Sequence, residues 1–290
     1  MSVPAQLGTV PYPAPPPAWL EDDSVSDPVE IGGYRILERI GVGGMGAVYA
    51  ALTATGERVA VKVVHQEFAT NPTYRARFVR EVDLLARVGD SFSVHPIEAD
   101  IGAYQPWLAM PYIAGPTLGE HIVGEGPMAG RELVEFTAGI AQALVAIHRA
   151  GVVHRDLKPD NVILSSSGPR ILDFGIAQAM DEPQPEGEEV LGSPGWISPE
   201  QFHEHPPRAA ADVFAWGGLV AYASTGRRPF GTGSVETVAM RALQGRADLR
   251  GMPHGLLPLV EAALAPDPAR RPCSEKLLRE VGRLAAAGHC

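Results

Sequence analysis

The chain has 290 residues and a mass of 30.8 kDa, with 45% hydrophobic and 20% charged residues, enough for one large core or two lobes. Its formal net charge of −10 and pI of about 5.4 argue against nucleic acid or an anionic membrane as the main partner. The two cysteines, Cys273 and Cys290, form neither a metal-ligand spacing nor a disulfide framework, and no leader or bilayer-length apolar run is visible, so the expected setting is a reducing cytoplasm without an integral membrane anchor.

Residues 1 to about 30 carry Pro11, Pro13, Pro15, Pro16 and Pro17 and then the acidic Glu21, Asp22 and Asp23. That composition predicts a disordered or polyproline tail over 1–32, a linker or a recognition segment. Order is expected from Gly33. Tyr34 to Ile40 and Ala47 to Leu52 read as two strands, joined by Gly41-Val42-Gly43-Gly44-Met45-Gly46. Glycines there let backbone N–H groups approach phosphate oxygens, although a merely flexible hairpin turn has the same composition.

A third strand follows, Val59 to Val64. Its period places Val59, Val61 and Val63 on one face and Ala60 and Lys62 on the other. Only three lysines occur, Lys62, Lys158 and Lys276; in so arginine-biased a chain, a lysine suggests a pocket that needs a compact point charge. Asn71-Pro72 is a helix-start signal, and the stripe Phe78, Val82 and Leu85 marks the inward face. Glu81 falls on that stripe. A carboxylate there needs a cation, and Lys62 is the nearest lysine on an inward strand face.

Residues 89–105 have no clear pattern. Trp107 to Met110 reads as a strand, 111–116 as a stiff connector, and Arg131 to Ala150 as an amphipathic helix stopped by Gly151. Then His154-Arg155-Asp156-Leu157-Lys158-Pro159-Asp160-Asn161 interrupts two apolar runs. A core seldom admits so many polar groups unless they have partners or a ligand. Asp173-Phe174-Gly175 follows a Gly168-Pro169 turn. The segment 176–192 has no Ser, Thr or Tyr and is acidic. Gly192-Ser193-Pro194-Gly195-Trp196-Ile197-Ser198-Pro199-Glu200, an apolar helix from Asp212 to Thr225, the run Asp267 to Pro272 and a final helix from Ser274 to Ala287 complete the chain.

GVGGMGAVY, VAVK, RFVREVDLL, HRDLKPDN, DFG and GSPGWISPE resemble, in order, the motifs of bacterial, actinobacterial-type Hanks serine/threonine protein kinases. The resemblance covers about residues 33–285. It implies an α+β, bilobal fold: a small β-rich N-lobe with one helix over 33–110, a hinge over 111–114 and a larger, mainly helical C-lobe over 115–287. It implies transfer of the γ-phosphate of ATP, with Mg2+ or Mn2+, to Ser or Thr of protein substrates, including autophosphorylation. A pseudokinase scaffold and a small-molecule phosphotransferase are the rival classes; the intact set Lys62, Glu81, Asp156, Asn161 and Asp173 and the peptide-receiving SPE segment argue against them. Pairing as a homodimer is left open.

The same resemblance distributes the roles. Asp156 would orient the substrate hydroxyl, Lys158 would neutralise the γ-phosphate, and Ser193 would bond both. Lys62, paired with Glu81, would hold the α- and β-phosphates. Asn161 and Asp173 would bind the metal. Gly41, Gly43, Gly44, Met45 and Gly46 would cover the phosphates. Adenine would lie between Val48 and Ala60 above and Ile163 below, beside Ile40 and Val42, with Met110 as gatekeeper and Pro111 and Ile113 supplying hinge contacts. Asp212 would brace the catalytic loop and Arg271 would pair with Glu200. Many relatives carry a phosphorylated Thr in the 176–192 region that docks on the Arg of HRD. Here either Glu188 or Glu189 takes the place of that phosphate beside Arg155, or the loop is simply a solvated acidic stretch.

Overall fold

The computed structural model describes residues 27–43, 46–88, 95–174, 178–179, 193, 195–203 and 208–286. Expectations for the tail before Asp27, for Gly44 and Met45, and for Glu188 and Glu189 lie outside the described residues. The N-terminal half is an antiparallel sheet of six strands: β1 (Glu30–Ile31), β2 (Tyr34–Val42), β3 (Gly46–Leu52), β4 (Arg58–Val64), β5 (Glu98–Asp100) and β6 (Trp107–Pro111). Their order is β1-β2-β3-β4-β6-β5. A short α1 (Gln66–Ala69) and the longer α2 (Pro72–Val88) follow β4.

Three boundaries differ from the sequence reading. Strand pairing begins at Glu30, before Gly33, because Gly32 and Gly33 form a tight turn with φ of 59° and 84° that folds β1 back on β2. A Cβ on Gly32 would lie 2.2 Å from the Trp107 ring, so this turn admits only glycine. Gly41 and Val42 belong to β2, which bulges between Ile36 and Glu38 and again between Arg39 and Gly41; the glycine-rich turn is thus shorter than its motif. Pro111 ends β6 rather than starting the connector.

The predicted face assignment of β4 holds. Val59, Val61 and Val63 pack with Tyr34, Tyr49 and Trp107 on one side of the sheet. Lys62 lies on the other side, toward α2, in register with Val48 of β3 and Leu108 of β6. α2 starts where expected, Asn71 Oδ1 accepting the Thr73 N–H at 2.9 Å, and buries Phe78, Glu81, Leu84 and Leu85.

The C-terminal half is helical: α3 (Leu118–Gly124), α4 (Gly130–Arg149), α5 (Ala209–Thr225), α6 (Val235–Leu243), α7 (Leu257–Ala263) and α8 (Ser274–Ala286). Between α4 and α5 run β7 (Val152–Val153), the hairpin β8 (Val162–Ser165) with β9 (Gly168–Ile171), and β10 (Gln178–Ala179), which pairs antiparallel with β7. This is the bilobal α+β architecture expected. α5 is buried on almost every side and ends at Gly226 in the left-handed region, φ 68°.

One contact anchors the segment around Glu200. Arg271 Nη1 and Nη2 donate to the two carboxylate oxygens of Glu200, each at 2.7 Å. The rest of the guanidinium donates to the carbonyls of Ala265, Ala210 and Pro266, and it stacks over Phe214 at 4.9 Å. A fully buried cation is tolerated because its donors are used in this fork geometry.

α4 meets the β8–β9 hairpin at Gly139, where a Cβ would sit 2.5 Å from Cγ of Pro169. A proline ring cannot swing aside. Gly139→Ala is therefore expected to destabilise by about 1–3 kcal/mol, although Ala ordinarily favours a helix interior. Gly282→Ala in α8, where nothing lies within 4 Å, should instead stabilise by about 0.5–1 kcal/mol. Urea unfolding of the two variants should give opposite signs.

Candidate active site

The polar loop 154–161 hangs from one buried carboxylate. Asp212, in the first turn of α5, accepts the His154 N–H at Oδ2 and the Arg155 N–H at Oδ1, both at 2.9 Å. Its Oδ2 is also 2.9 Å from Nε2 of His148, at the end of α4, whose Nδ1 is 3.1 Å from Ser274 Oγ at the start of α8. Burial would push the Asp212 carboxyl up, but its bonds to His148 and His154 outweigh that and hold it below the ordinary aspartate value. Arg155 has φ 71°, a left-handed conformation that costs a non-glycine residue about 1–3 kcal/mol. The bond from its N–H to Asp212 helps to offset that strain. His154 is fully buried, with Nε2 3.0 Å from the Leu172 carbonyl and its ring edge-on to Phe174 at 4.8 Å.

Asp156 is held from several directions. Lys158 Nζ donates to its Oδ2 at 2.8 Å and Ser193 Oγ to its Oδ1 at 3.2 Å. Asn161 Nδ2 donates to the Asp156 carbonyl at 2.8 Å and to Oδ2 at 3.2 Å. Of the two partners expected for Ser193, Asp156 is the one it bonds. Both amide hydrogens of Asn161 point at Asp156, which leaves its Oδ1 as the oxygen to offer a cation.

The second constellation comes from the N-lobe. Lys62 Nζ lies 2.6 Å from Glu81 Oε1 and 3.0 Å from Asp173 Oδ1. Burial works against the Lys62 ammonium, but Glu81 and Asp173 prevail and push its pKa above the usual lysine range, so it remains charged. The Glu81 side chain is 2% exposed and that of Asp173 47% exposed; the first is a structural counter-ion and the second still faces solvent. Asp173 also has positive φ, 59°, and Lys62 is one of the groups holding it there.

The apolar side chains expected at the adenine site are partly exposed, Ile40 and Val42 on β2, Val48 on β3, Met110 on β6 and Ile163 on β8, with buried Ala60 on β4. Ile163 is brought to the connector by a bridge to Thr117, and the Leu164 N–H donates to Pro116 O at 2.8 Å. Gly115 lets the connector approach: a Cβ there would be 2.2 Å from the Leu164 carbonyl. Pro111 is exposed and Ile113 half-buried. Gly41, Gly43 and Gly46 flank the glycine-rich turn, and the Gly43 carbonyl lies 3.1 Å from Nε2 of His65.

His65 and His148 were not identified from the sequence. His148 stands next to the apolar stripe of α4 and finds its partner only through tertiary contact. Among the described residues no group of three or more His, Cys, Asp or Glu is placed to hold an ion unaided. Asn161 and Asp173, the residues expected to hold a metal, both carry hard oxygen atoms, the ligand type that Mg2+ takes. No helix among the described residues is long and apolar enough to cross a membrane.

A family model for the protein kinase domain matches residues 34–281. The chain is 40% identical over 256 residues to the Thermomonospora curvata protein named "Probable serine/threonine-protein kinase PkwA", covering 88% of this chain and 34% of that protein. It is 44% identical over 253 residues to the serine/threonine-protein kinase AfsK of Streptomyces griseus (86% of this chain, 31% of AfsK). For AfsK of Streptomyces coelicolor the identity is 43% over 250 residues (85% and 31%). The chain thus spans about a third of the length of these relatives.

The variant Asp212→Asn would keep one acceptor oxygen but set an NH2 donor against one of the two buried N–H groups and remove the charge beside His148. Asp212→Asn is expected to lose about 3 kcal/mol in urea unfolding at neutral pH. Because the folded-state pKa is lowered, the carboxylate contributes fully above the ordinary aspartate value of about 4 and progressively less as pH falls toward the depressed value. The stability gap between wild type and variant should therefore be flat above about pH 5 and narrow below pH 4.

Proposed function

Because the chain belongs to the protein kinase domain family, we propose that it transfers the γ-phosphate of ATP to Ser and Thr hydroxyls of proteins. The observation that carries this reading is that Asp173 bonds Lys62 of the N-lobe sheet beside Glu81, while the preceding residue, Leu172, donates its N–H at 2.8 Å to the carbonyl of Asn161, which with Lys158 bonds Asp156. In this reaction class little covalent chemistry is asked of the protein, so positioning and charge supply most of the rate.

In the proposed reaction the adenine ring rests against Val48, Ala60 and Ile163, and the hinge offers the Pro111 carbonyl and the Ile113 N–H. Proline lacks an N–H but keeps that carbonyl. Lys62 stays protonated and faces the α- and β-phosphates, with Glu81 fixing its direction. Asp156 accepts a hydrogen bond from the substrate hydroxyl and takes its proton as the oxygen bonds to the γ-phosphorus and the bond to the bridging oxygen of ADP breaks. Lys158, held on Asp156 by their 2.8 Å bond, turns to the transferred phosphate. Asn161 and Asp173 are the residues that would hold Mg2+ or Mn2+, which supplies positive charge to the phosphate oxygens when bound.

Acceptor choice follows from Lys158, two residues after Asp156, which resembles the serine/threonine class, and the curated relatives carry that name. Autophosphorylation, protein substrates met as extended segments along 193–200, and action in the cytoplasm complete the proposal. The paucity of cysteine supports a reducing setting.

Incubation with γ-labelled ATP, Mg2+ and a generic protein substrate should place label on Ser and Thr. Asp156→Asn should lower the rate about 10²- to 10⁴-fold. Equal rates for wild type and variant would remove Asp156 from its assigned role.

A further inference from the structure

We propose that Arg75 is a positioning residue that seats α2 against the sheet, so that the Lys62–Glu81 pair forms without phosphorylation of the 176–192 segment. The proposal rests on the kinase reading of the same site. Arg75 lies in the first half of α2, six residues before Glu81, and its guanidinium spans two separate pieces of chain. Nη1 donates to the Ala69 carbonyl at 2.8 Å and to the Ala103 carbonyl at 3.1 Å. Nη2 donates to the Ile101 carbonyl at 2.8 Å and again to Ala103 at 3.1 Å. Ala69 ends α1, and residues 101–103 lie in the connection between β5 and β6.

That connection is itself organised to receive the cation. Asp100 Oδ1 accepts the N–H groups of Gly102 at 3.0 Å and Ala103 at 2.8 Å, which holds the turn that presents the Ile101 and Ala103 carbonyls. β5 is the sheet edge and pairs with β6, which pairs with β4, the strand that carries Lys62. Arg75 therefore ties the helix bearing Glu81 to the same sheet that bears Lys62. Phe78 is buried one turn after Arg75, and Glu81 is reached one turn beyond that. The two polar fixings, Arg75 to the edge turn and Glu81 to Lys62, bracket this apolar contact. A rod pinned at both places cannot swing out without breaking four hydrogen bonds and exposing Phe78.

The need for such a device follows from residues 176–192, which contain no Ser, Thr or Tyr. Phosphate added there cannot be what draws α2 inward. The Lys62–Glu81 contact is 2.6 Å, and Arg75 is a long-reach cation that fixes α2 nearer its start. A lysine cannot substitute, since one ammonium does not span both segments in the fork geometry of guanidinium.

The test is a double-mutant cycle on the full chain with Arg75→Ala, Glu81→Gln and the double variant. Arg75→Lys and thermal unfolding are measured alongside. Affinity for a fluorescent ATP analogue with Mg2+ and kcat/KM for protein phosphorylation are both read. Arg75→Ala should lower kcat/KM about tenfold and weaken nucleotide binding in the Glu81 background, yet change either by less than about twofold in the Glu81→Gln background. Arg75→Lys should fold with a near-native melting temperature and still lose activity. Multiplicative losses in the cycle, or an Arg75→Lys variant with wild-type kcat/KM, would overturn the proposal. If wild type binds nucleotide but transfers no phosphate, the kinase reading fails, while the cycle in nucleotide affinity still decides the role of Arg75.

Discussion

A single buried carboxylate sets the geometry of the catalytic loop. Asp212 is 1% exposed and takes two backbone N–H groups from the loop together with a bond to His148. Burying a charge is costly unless it is fully hydrogen-bonded, and here both oxygens are used. The consequence runs outward along the chain. With the His154 and Arg155 amides fixed, Arg155 is held in its left-handed conformation and the next residue, Asp156, is turned toward Lys158, Asn161 and Ser193. α5 can carry this carboxylate because it is itself embedded on nearly every side, with Ala211, Asp212 and Val213 near its start buried.

The N-lobe applies the same economy on a different scaffold. β4 is apolar on its outer face and offers one ammonium on its inner face, while α2 offers one carboxylate from its buried stripe. Neither group would be tolerated alone at that depth. Together they form a pair whose remaining partner, Asp173, arrives from the C-lobe immediately after β9 and thereby links the two halves of the cleft. The link is electrostatic and short, and its exposed side is where the proposed metal-bound phosphates would enter.

Much of this was legible in the residue order. The period of Val59 to Val64 placed Lys62 inward, Asn71-Pro72 placed the start of α2, and the stripe placed Glu81 opposite Lys62. Motif resemblance added the pairing of Arg271 with Glu200 and the bracing role of Asp212. What escaped has physical reasons. β5 is three residues long with a half-buried centre, too short for alternation to register. β1 depends on a Gly-Gly turn packed on Trp107, a contact more than seventy positions away. α6 and α7 are short, although Ser234 caps α6 visibly. α3 carries a readable signal in the residue order, the Thr117–Glu120 capping box. His148 and Arg75 look like ordinary polar positions on amphipathic helices; their partners, Asp212 and the 101–103 turn, are brought to them only by the tertiary fold.

In the proposed site two separately built constellations act on one metal-bound nucleotide. Calorimetric titration with a non-hydrolysable ATP analogue, with and without Mg2+, tests it directly on wild type, Lys62→Met and Asp173→Asn. Mg2+ should tighten binding in wild type, Asp173→Asn should abolish the tightening, and Lys62→Met should weaken binding in either condition. Metal-independent binding that is unaffected by both substitutions would contradict it.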